Sequence, residues 1–271
     1  MGFRMANYPL LRQGDLLPTV AVLQKLLNAS GAGLRVNGEY GPKTELAVRD
    51  FQGQHRLTRG AGVVAATWAR LTQSRHLPIV DCVDVLDPKI YEQRVSVLHA
   101  AGARPLLTGG MQRGIQTLLG RLRDMGSDIF LLGIVGHGGP GMQAISIGAG
   151  GYISVDPQTG RREKHYFEGP FDGVGLKTEA HIELFAPVRQ YLGAFAIIEM
   201  HGCKVAAGAM GRRFLKLCAK RLGVPVRASR DKQKMGSAFG LTGAVVTMYP
   251  DDGGLGSWAS SLPDFPAMSV Q

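Results

Sequence analysis

The chain has 271 residues, 45% of them hydrophobic and 19% charged, which is typical of a globular protein with room for one domain or two. No apolar run approaches the roughly 20 residues that span a bilayer, and the N-terminal segment lacks the continuous apolar stretch of a signal peptide. Of the net charge of +10, residues 1–76 hold +6, from ten Lys and Arg against four Asp and Glu, which favours an anionic partner such as a cell-wall polymer, nucleic acid or a lipid surface.

Residues 9–72 have the pattern of a small three-helix domain. The first predicted helix, in LLPTVAVLQKLLNASG, places Val20 and Leu27 on one apolar stripe and stops at a glycine. A second helix, ELAVRDFQGQH, directs Phe51 inward, and a third, AATWARL, contributes Trp68. Three short amphipathic helices of this kind form a bundle around a common apolar centre.

The motifs of these helices follow a known pattern. LLRQGDLLPTVAVLQKLLNASG, VNGEYGPKTELAVRDFQGQHRL and TWARL match V..LQ..L...G, then DG.FG..T..AV..FQ...GL, then TW..L. In this respect the segment closely resembles the peptidoglycan-binding domain of cell-wall hydrolases. Asn37 replaces the usual Asp before Gly38, a mild change because both residues suit the turn. The resemblance implies peptidoglycan as a partner; a three-helix appendage without a ligand is the alternative.

Strand-like apolar runs alternate with helical patterns through residues 78–271. We predict strands at 79–86, 104–107, 128–135, 194–200, 224–228 and 243–249, and helices at 111–125, 180–192 and 208–222. This alternation indicates an α/β domain with a mainly parallel sheet and helices on both faces. Ligands of such sheets bind beyond the carboxyl ends of the strands. His137 follows one predicted strand end and Cys203 follows another.

The three cysteines have different contexts. Cys82, Cys203 and Cys218 form no C-x-x-C pair, so neither a disulfide framework nor a structural zinc site is expected. Cys82 lies within a predicted strand and Cys218 on the apolar face of a predicted helix, so both are interpreted as buried core thiols. Cys203 instead precedes small residues that open a helix, where a helix N-terminus and nearby positive charge favour a reactive thiolate.

A histidine among glycines complements this thiol. His137 lies in IVGHGGPG, where glycines let a substrate backbone come close and leave the Gly138 N–H free to point at a developing oxyanion. An imidazole and a thiol at two strand ends are the parts of a Cys/His acyl-transfer site. The sequence therefore predicts such a site at one edge of the sheet.

The two motifs also resemble those of the caspase-like cysteine peptidases, which include caspases, metacaspases, gingipains, clostripain and separase. DIFLLGIVGHG and FAIIEMHGC reproduce a strand ending in His-Gly and a later strand ending in Ala/Gly-Cys. The versions in bacterial surface proteins carry GHG.PG and a Cys followed by small residues and Gly, here GHGGPG and GCKVAAGAMGRRF. The resemblance implies a caspase-like fold with Cys203 as nucleophile, His137 as general base, and the amides of Gly138 and Cys203 as the oxyanion hole.

A weaker match suggests the substrate pocket. Metacaspases carry an acid in an S..D.Q stretch that binds a basic side chain before the scissile bond. In ASRDKQKMGSA, Asp231 and Gln233 keep the D.Q spacing, and Ser229 lies one residue closer. The resemblance implies a weak preference for Lys or Arg; a solvated surface acid is the alternative. Metacaspases also have Asp two residues before the nucleophile, where this chain has His201, which we assign to the same pocket.

The sequence thus predicts a cysteine endopeptidase that a peptidoglycan-binding module targets to the cell wall and that cleaves a protein or peptide. One alternative is an inactive caspase-like protein that binds the wall and recruits a partner. Another is a peptidoglycan crosslink hydrolase, although the familiar Cys/His wall peptidases place Cys before His in the chain. His137, His201 and Cys203 lack a fourth zinc ligand, so no metal or cofactor is expected.

Three further expectations concern partners and processing. The basic helix face of Arg212, Lys216 and Lys220 has no interleaved aromatic residues, so nucleic acid is not expected as a partner. The wall module indicates the bacterial cell envelope, reached by a route without a classical signal peptide. Residues 146–178 are rich in glycine and charge and are predicted as a functional or mobile loop, with TGRREKHYF as an exposed autoprocessing site within 149–178.

Overall fold

The computed structural model describes residues 8–60, 62–73, 75–84, 90–100, 103, 105–108, 114–145, 151–155, 158–166, 175–233 and 240–267. The α-helices are α1 (Pro18–Asn28), α2 (Pro42–Gln54), α3 (Ala65–Leu71), α4 (Ser96–Ala100), α5 (Gly114–Met125), α6 (Glu179–Phe185), α7 (Gly208–Leu222) and α8 (Gly254–Ser261). A π-helical turn, Tyr91–Val95, leads into α4, and a 3₁₀ turn, Ala186–Tyr191, follows α6.

Eleven strands lie in the described part of the chain. They are β1 (Ile79–Asp84), β2 (Leu106–Thr108), β3 (Ile129–Val135), β4 (Gly138–Gly139), β5 (Met142–Ala144), β6 (Gly151–Val155), β7 (Arg162–Tyr166), β8 (Gly175–Leu176), β9 (Leu192–Met200), β10 (Val226–Ser229) and β11 (Val245–Met248). The main sheet has the order β11-β10-β9-β3-β1-β2, and only β11 runs antiparallel to its neighbour. The predicted α/β fold with a mainly parallel sheet is confirmed.

The three-helix module forms where it was predicted. Pro18 and Pro42 begin α1 and α2, where a missing N–H costs nothing and the fixed φ favours a helix. The side-chain amide of Gln24 organises the next turn, because its Oε1 accepts the N–H groups of Asn37 and Gly38, both at 2.9 Å. Gly38 has φ +75°, a conformation that favours glycine. The motif's Gln and Asn-Gly therefore determine the fold of the module.

One face of the main sheet packs against α5, α6 and α7. Successive side chains of a strand point to opposite faces, and Cys82, Leu132 and Ile198 all point to this one. They join a buried cluster with apolar side chains of the three helices, among them Leu118, Leu122, Ile182, Phe185, Phe214 and Cys218. Cys82 and Cys218 are buried as predicted, and burial raises the pKa of both thiols.

The opposite face is covered by two separate parts of the chain. Leu131 of β3 and Ile197, its partner on β9, share a buried cluster with the three-helix module. Val83 and Val135, at the carboxyl ends of β1 and β3, pack instead under Ile90, Val95 and Leu98 of the segment that leads through α4. The module therefore lies at the end of the sheet away from the expected site.

The three-helix module is docked directly on the sheet. Tyr8 stacks on Trp68 of α3 and on Phe130 of β3, with ring centroids 5.1 and 6.1 Å apart. Lys25 of α1 forms an ion pair with Asp264, with 2.7 Å between Nζ and Oδ1. The two predicted domains therefore share a continuous hydrophobic core, and burial of Phe130 depends on both.

Several predicted boundaries shift. The predicted helix 180–192 ends at Phe185 and continues as the 3₁₀ turn, because Pro187 has no N–H for the helical ladder. Of the predicted strand 79–86, the structure describes β1 as far as Asp84, and residues 85–89 lie outside the described residues. Residues 111–113 of the predicted helix 111–125 also lie outside them.

The predicted loop 146–178 is more ordered than expected in its described parts. Strands β6 and β7 form an antiparallel ribbon that includes most of TGRREKHYF, and β8 pairs with β5 beside β4. Residues 146–150, 156–157 and 167–174 lie outside the described residues. Processing within this segment remains a prediction. None of the helices in the described part of the chain combines the length and hydrophobicity that a bilayer crossing needs.

Candidate functional site

His137 and Cys203 follow two neighbouring strands. Strands β3 and β9 are parallel and paired, with Ile134 opposite Met200, so their carboxyl ends meet at the same edge of the sheet. His137 comes two residues after β3, and Cys203 comes three residues after β9. The fold therefore brings both loops to the edge where ligands of parallel sheets bind.

The two loops touch through glycine backbones. A Cβ atom on Gly138 would lie 2.7 Å from the Cα of Gly202, and a Cβ on Gly202 would lie 2.8 Å from the Cα of Gly138. Contacts this short exclude a side chain at either position unless the backbone moves. The residue after His137 and the residue before Cys203 are therefore packed against each other.

Two hydrogen bonds fasten the same pair of loops. The N–H of Gly141 donates to the carbonyl of Val205 at 3.0 Å, and the N–H of Gly202 donates to Oε1 of Gln143 at 2.8 Å. Gln143 is fully buried on β5. Gln143 was not predicted as a site residue, and the one signal for it in the sequence is a glutamine within the short apolar run after GHGGPG.

One N–H of the backbone around Cys203 has no acceptor among the described residues. The N–H groups of His201 and Lys204 donate to the carbonyls of Ile134 and Asp231, at 2.8 and 2.9 Å, and Gln143 takes that of Gly202. Within the part of the chain that the structure describes, no acceptor takes the N–H of Cys203. An unpaired N–H beside a nucleophile is the geometry that an oxyanion hole requires.

The N–H of Gly138 also points away from its strand partner. Gly138 lies opposite Gln143 in the β4–β5 ladder, and Ala144 donates to the carbonyl of His137 at 2.8 Å. In antiparallel pairing these bonds flank a non-hydrogen-bonded pair, so the Gly138 N–H is directed away from β5. Of the two N–H groups predicted as oxyanion donors, neither donates to a neighbouring strand in the described part of the chain.

Cys203 lies in a turn, and α7 begins only at Gly208. The thiol is half-buried, and its Sγ accepts the N–H of Gln233 at 3.4 Å. The turn is held from the β10 side, since Ala206 donates to the carbonyl of Ser229 at 3.0 Å. A turn therefore separates the thiol from the helix N-terminus. The N–H that donates to Sγ comes instead from Gln233, in the loop after β10.

Ser229, Asp231 and Gln233 stabilise that loop. Ser229 Oγ donates to the carbonyl of Thr242 at 2.7 Å, and the side-chain amide of Gln233 pairs with the backbone of Thr242 at 3.0 Å in both directions. The carboxylate of Asp231 accepts the N–H of Ala244 at 2.7 Å. Asp231 is exposed and close to the Cys203 turn, and its role in a substrate pocket stays a prediction.

His201 is buried beside an acid. Its side chain is only 6% exposed, and its Nε2 is 3.2 Å from Oε2 of Glu199, whose other oxygen accepts a 2.6 Å bond from Arg227. Burial raises the pKa of Glu199, but Arg227 and His201 outweigh this effect and lower the pKa to about 2. The carboxylate holds the imidazole inside the protein, and the role of His201 in a substrate pocket stays a prediction.

This ion pair belongs to a buried polar row across the sheet. Asp81, Gly133, Glu199 and Arg227 are paired in register on β1, β3, β9 and β10. Gly133 leaves the space that Asp81 needs, since a Cβ there would lie 2.6 Å from the Asp81 carboxylate. Arg94 reaches to 3.9 Å from the same carboxylate. Opposite charges in one layer compensate one another's burial.

Metal ligands do not cluster among the described residues: no three His, Cys, Asp or Glu side chains there are placed to hold an ion. A separate groove of about 950 Å³ lies in the three-helix module. It is bordered by α2 and by the loop after α1, and its lining includes Arg35, Lys43, Leu46, Asp50 and Gln54. This groove offers both charge signs and an exposed apolar side chain to a ligand.

Comparisons with known proteins bear on the module. Residues 17–71 match a family described as a peptidoglycan binding domain, which confirms that prediction. A search of curated proteins finds none that matches the chain. Among solved structures, a fused Zn-dependent amidase/peptidase/peptidoglycan-binding domain-containing protein from Clostridium acetobutylicum is 25% identical, over 34% of this chain and 43% of that chain, with a TM-score of 0.24. The matched part spans less than half of that protein, and so low a TM-score gives no information about the α/β domain.

Proposed function

We propose that this protein is a caspase-like cysteine endopeptidase targeted to the cell wall, with Cys203 as nucleophile and His137 as general base. One observation carries the proposal: the loops that hold these two residues follow adjacent parallel strands and are packed together through Gly138 and Gly202. Nucleophile and base must lie within reach of each other, and this contact fixes their loops side by side.

The proposed reaction is hydrolysis of a peptide bond through a thioester on Cys203. Sγ of Cys203 attacks the carbonyl carbon of the scissile peptide bond while His137 takes the thiol proton. The N–H groups of Gly138 and Cys203 bind the resulting oxyanion. Collapse of the tetrahedral intermediate breaks the C–N bond, and His137 gives its proton to the departing amine. A water molecule, deprotonated by His137, then hydrolyses the thioester and restores the thiol.

The loop geometry supports this course. The Gln233 N–H that donates to Sγ orients the sulfur and stabilises negative charge that develops on it. On the other loop, no atom of the described residues lies within 4 Å of the position a Cβ would take on Gly139, which leaves room for the backbone of a substrate. Asp231 lies next to the Cys203 turn through the bond from Lys204, which supports a weak preference for Lys or Arg.

Peptidoglycan is the proposed anchor. The family match at residues 17–71 and the groove beside Leu46 support binding of the wall polymer by the module, and the bacterial cell envelope as the place of action. The same match favours a second candidate, a wall-binding protein whose α/β domain recruits a partner without catalysis. A crosslink hydrolase is a third, and release of muropeptides from purified sacculi would identify it.

The test is hydrolysis of a fluorogenic peptide library that includes Lys- and Arg-ending members. We expect Cys203→Ala to lose activity by at least about 10³-fold, because no other group replaces the nucleophile. Cys218→Ala is the matched control, since that thiol is buried in the core, and it should retain most of the activity. Equal rates in wild type and Cys203→Ala would overturn the proposal, as would a library left intact by the wild type.

A further inference from the structure

We infer that Gln143 is a positioning residue, which holds the N–H of Gly202 and so aims the N–H of the next residue, Cys203, at the oxyanion. The inference deepens the proposed function and rests on it. Its physical basis is separate, because the contacts of Gln143 are made by a buried side chain whatever the reaction. Gln143 does not touch the reacting atoms and acts through Gly202.

Both ends of the Gln143 amide are used. Its Oε1 accepts the N–H of Gly202, and its Nε2 donates to the carbonyl of Ala144, each at 2.8 Å. The two partners differ in kind, one a donor and one an acceptor, so only one orientation of the amide satisfies both. The side chain therefore holds a single position rather than alternating between two.

Gly202 needs such a restraint. A glycine has more backbone freedom than any other residue, and this one can gain no side chain because Gly138 fills the space. His201 and Lys204 are already held through their own N–H groups. With Gln143 holding the N–H of Gly202, the peptide planes that flank the Gly202–Cys203 peptide on either side are both fixed, and the Cys203 N–H between them keeps one direction.

The same side chain also fixes the position of the His137 loop relative to the Cys203 loop. Gln143 lies directly opposite Gly138 in the β4–β5 pair, so its strand carries the loop of His137 while its amide holds the loop of Cys203. Removing the acceptor would leave the buried Gly202 N–H unpaired, which is costly inside a protein. The expected response is a movement of Gly202 that misaligns the Cys203 N–H.

Two isosteric variants separate the acceptor from the rest of the side chain. Gln143→Met removes both hydrogen bonds, whereas Gln143→Glu keeps an oxygen for Gly202 and replaces the donor to Ala144 with a second acceptor. We expect Gln143→Met to lower kcat by roughly 10- to 100-fold with little change in KM, since oxyanion stabilisation acts on the transition state. Gln143→Glu should retain more of the kcat than Gln143→Met.

A second readout distinguishes positioning from stability. Alkylation of Cys203 by iodoacetamide forms no oxyanion, so its rate in Gln143→Met should stay within about twofold of wild type. Loss of alkylation in parallel with kcat would show general disruption of the site and overturn the inference. So would equal kcat losses in Gln143→Met and Gln143→Glu while both variants stay folded by circular dichroism.

Amide hydrogen exchange tests the hydrogen bond between Gly202 and Gln143, here called the tether, without any measurement of activity. The Gly202 N–H should be protected in the wild type and exchange at least tenfold faster in Gln143→Met, with the His201 N–H as the internal control because its acceptor is Ile134. If the wild type cleaves no peptide but Gly202 behaves in this way, the proposed function fails and the tether stands. Equal Gly202 exchange in the two proteins would refute the tether itself.

Discussion

Gly138 and Gly202 lie in direct backbone contact, each in the space that a side chain on the other would need. One follows His137 and the other precedes Cys203, so the contact joins the two sequence motifs that were predicted to cooperate. It also explains why both motifs read His-Gly: at these positions the glycine is required by close packing, since neither has a positive φ.

Adding a methyl group at Gly138 should therefore destabilise the protein. Gly138→Ala places a Cβ 2.7 Å from the Cα of Gly202, and overpacking of this kind costs about 1–3 kcal/mol. We expect a lower midpoint in thermal melting. Gly139→Ala is the matched control because, in the part of the chain that the structure describes, nothing lies within 4 Å of its Cβ position. Its melting midpoint should stay near that of wild type.

The shared core predicts cooperative unfolding of the module and the sheet. Phe130 of β3 is buried in the cluster that includes Trp68 of the module, so loss of either part exposes the other. Differential scanning calorimetry should give one transition for the full chain, and Phe130→Ala should lower it as a single peak, at a cost of about 3–5 kcal/mol. Two resolved transitions would contradict a common core.

The Glu199 network predicts a dependence of stability on pH. The folded-state pKa of Glu199 is lowered to about 2 from its usual 4.5, so the carboxylate contributes stability that is present above pH 4.5 and is lost as the pH falls toward 2. Glu199→Gln should be destabilised by a few kcal/mol at neutral pH, and the difference from wild type should shrink across that window in urea unfolding. Glu183→Gln, half-exposed beside Arg221, should differ little from wild type at any pH.

The groove of the module predicts a specific effect on wall binding. Leu46 lines the groove and is 60% exposed, so Leu46→Asp should weaken cosedimentation with purified sacculi by about fivefold or more without lowering the melting midpoint. Leu16→Asp is the matched control, because Leu16 is 64% exposed in the same module but outside the groove. Equal binding by both variants would place the ligand elsewhere.

The sequence predicted those features that depend on local patterns. Apolar runs marked the strands of the main sheet, and the Asn37–Gly38 turn and the Trp68 helix followed from residues whose conformational preferences are strong. Side-chain contacts that depend on which strands pair, and in which register, could not be predicted from local patterns. Glu199 lies two residues before His201, so their shared face was readable, but Arg227 joins them only through the pairing of β10 with β9.

Other features were missed for physical reasons. Strand β8 lies within the segment predicted as a loop, and it has two residues, too few to show a periodic pattern. Gln143 has no distinctive spacing, and its role arises from a contact 59 residues away along the chain. The docking of the module was hidden because residues such as Ile197 have the same apolar character whether a helix or another domain covers them.

The sharpest test of Cys203 as a nucleophile activated by His137 is labelling with peptidyl chloromethyl ketones, Lys- and Arg-ending members included, followed by mass spectrometry of the digested protein. We predict one thioether adduct per chain, at Cys203. Its formation should be much slower in His137→Ala, and it should be absent in Cys203→Ala. Adducts at Cys82 or Cys218 instead, or equal labelling of Cys203 in wild type and His137→Ala, would contradict it.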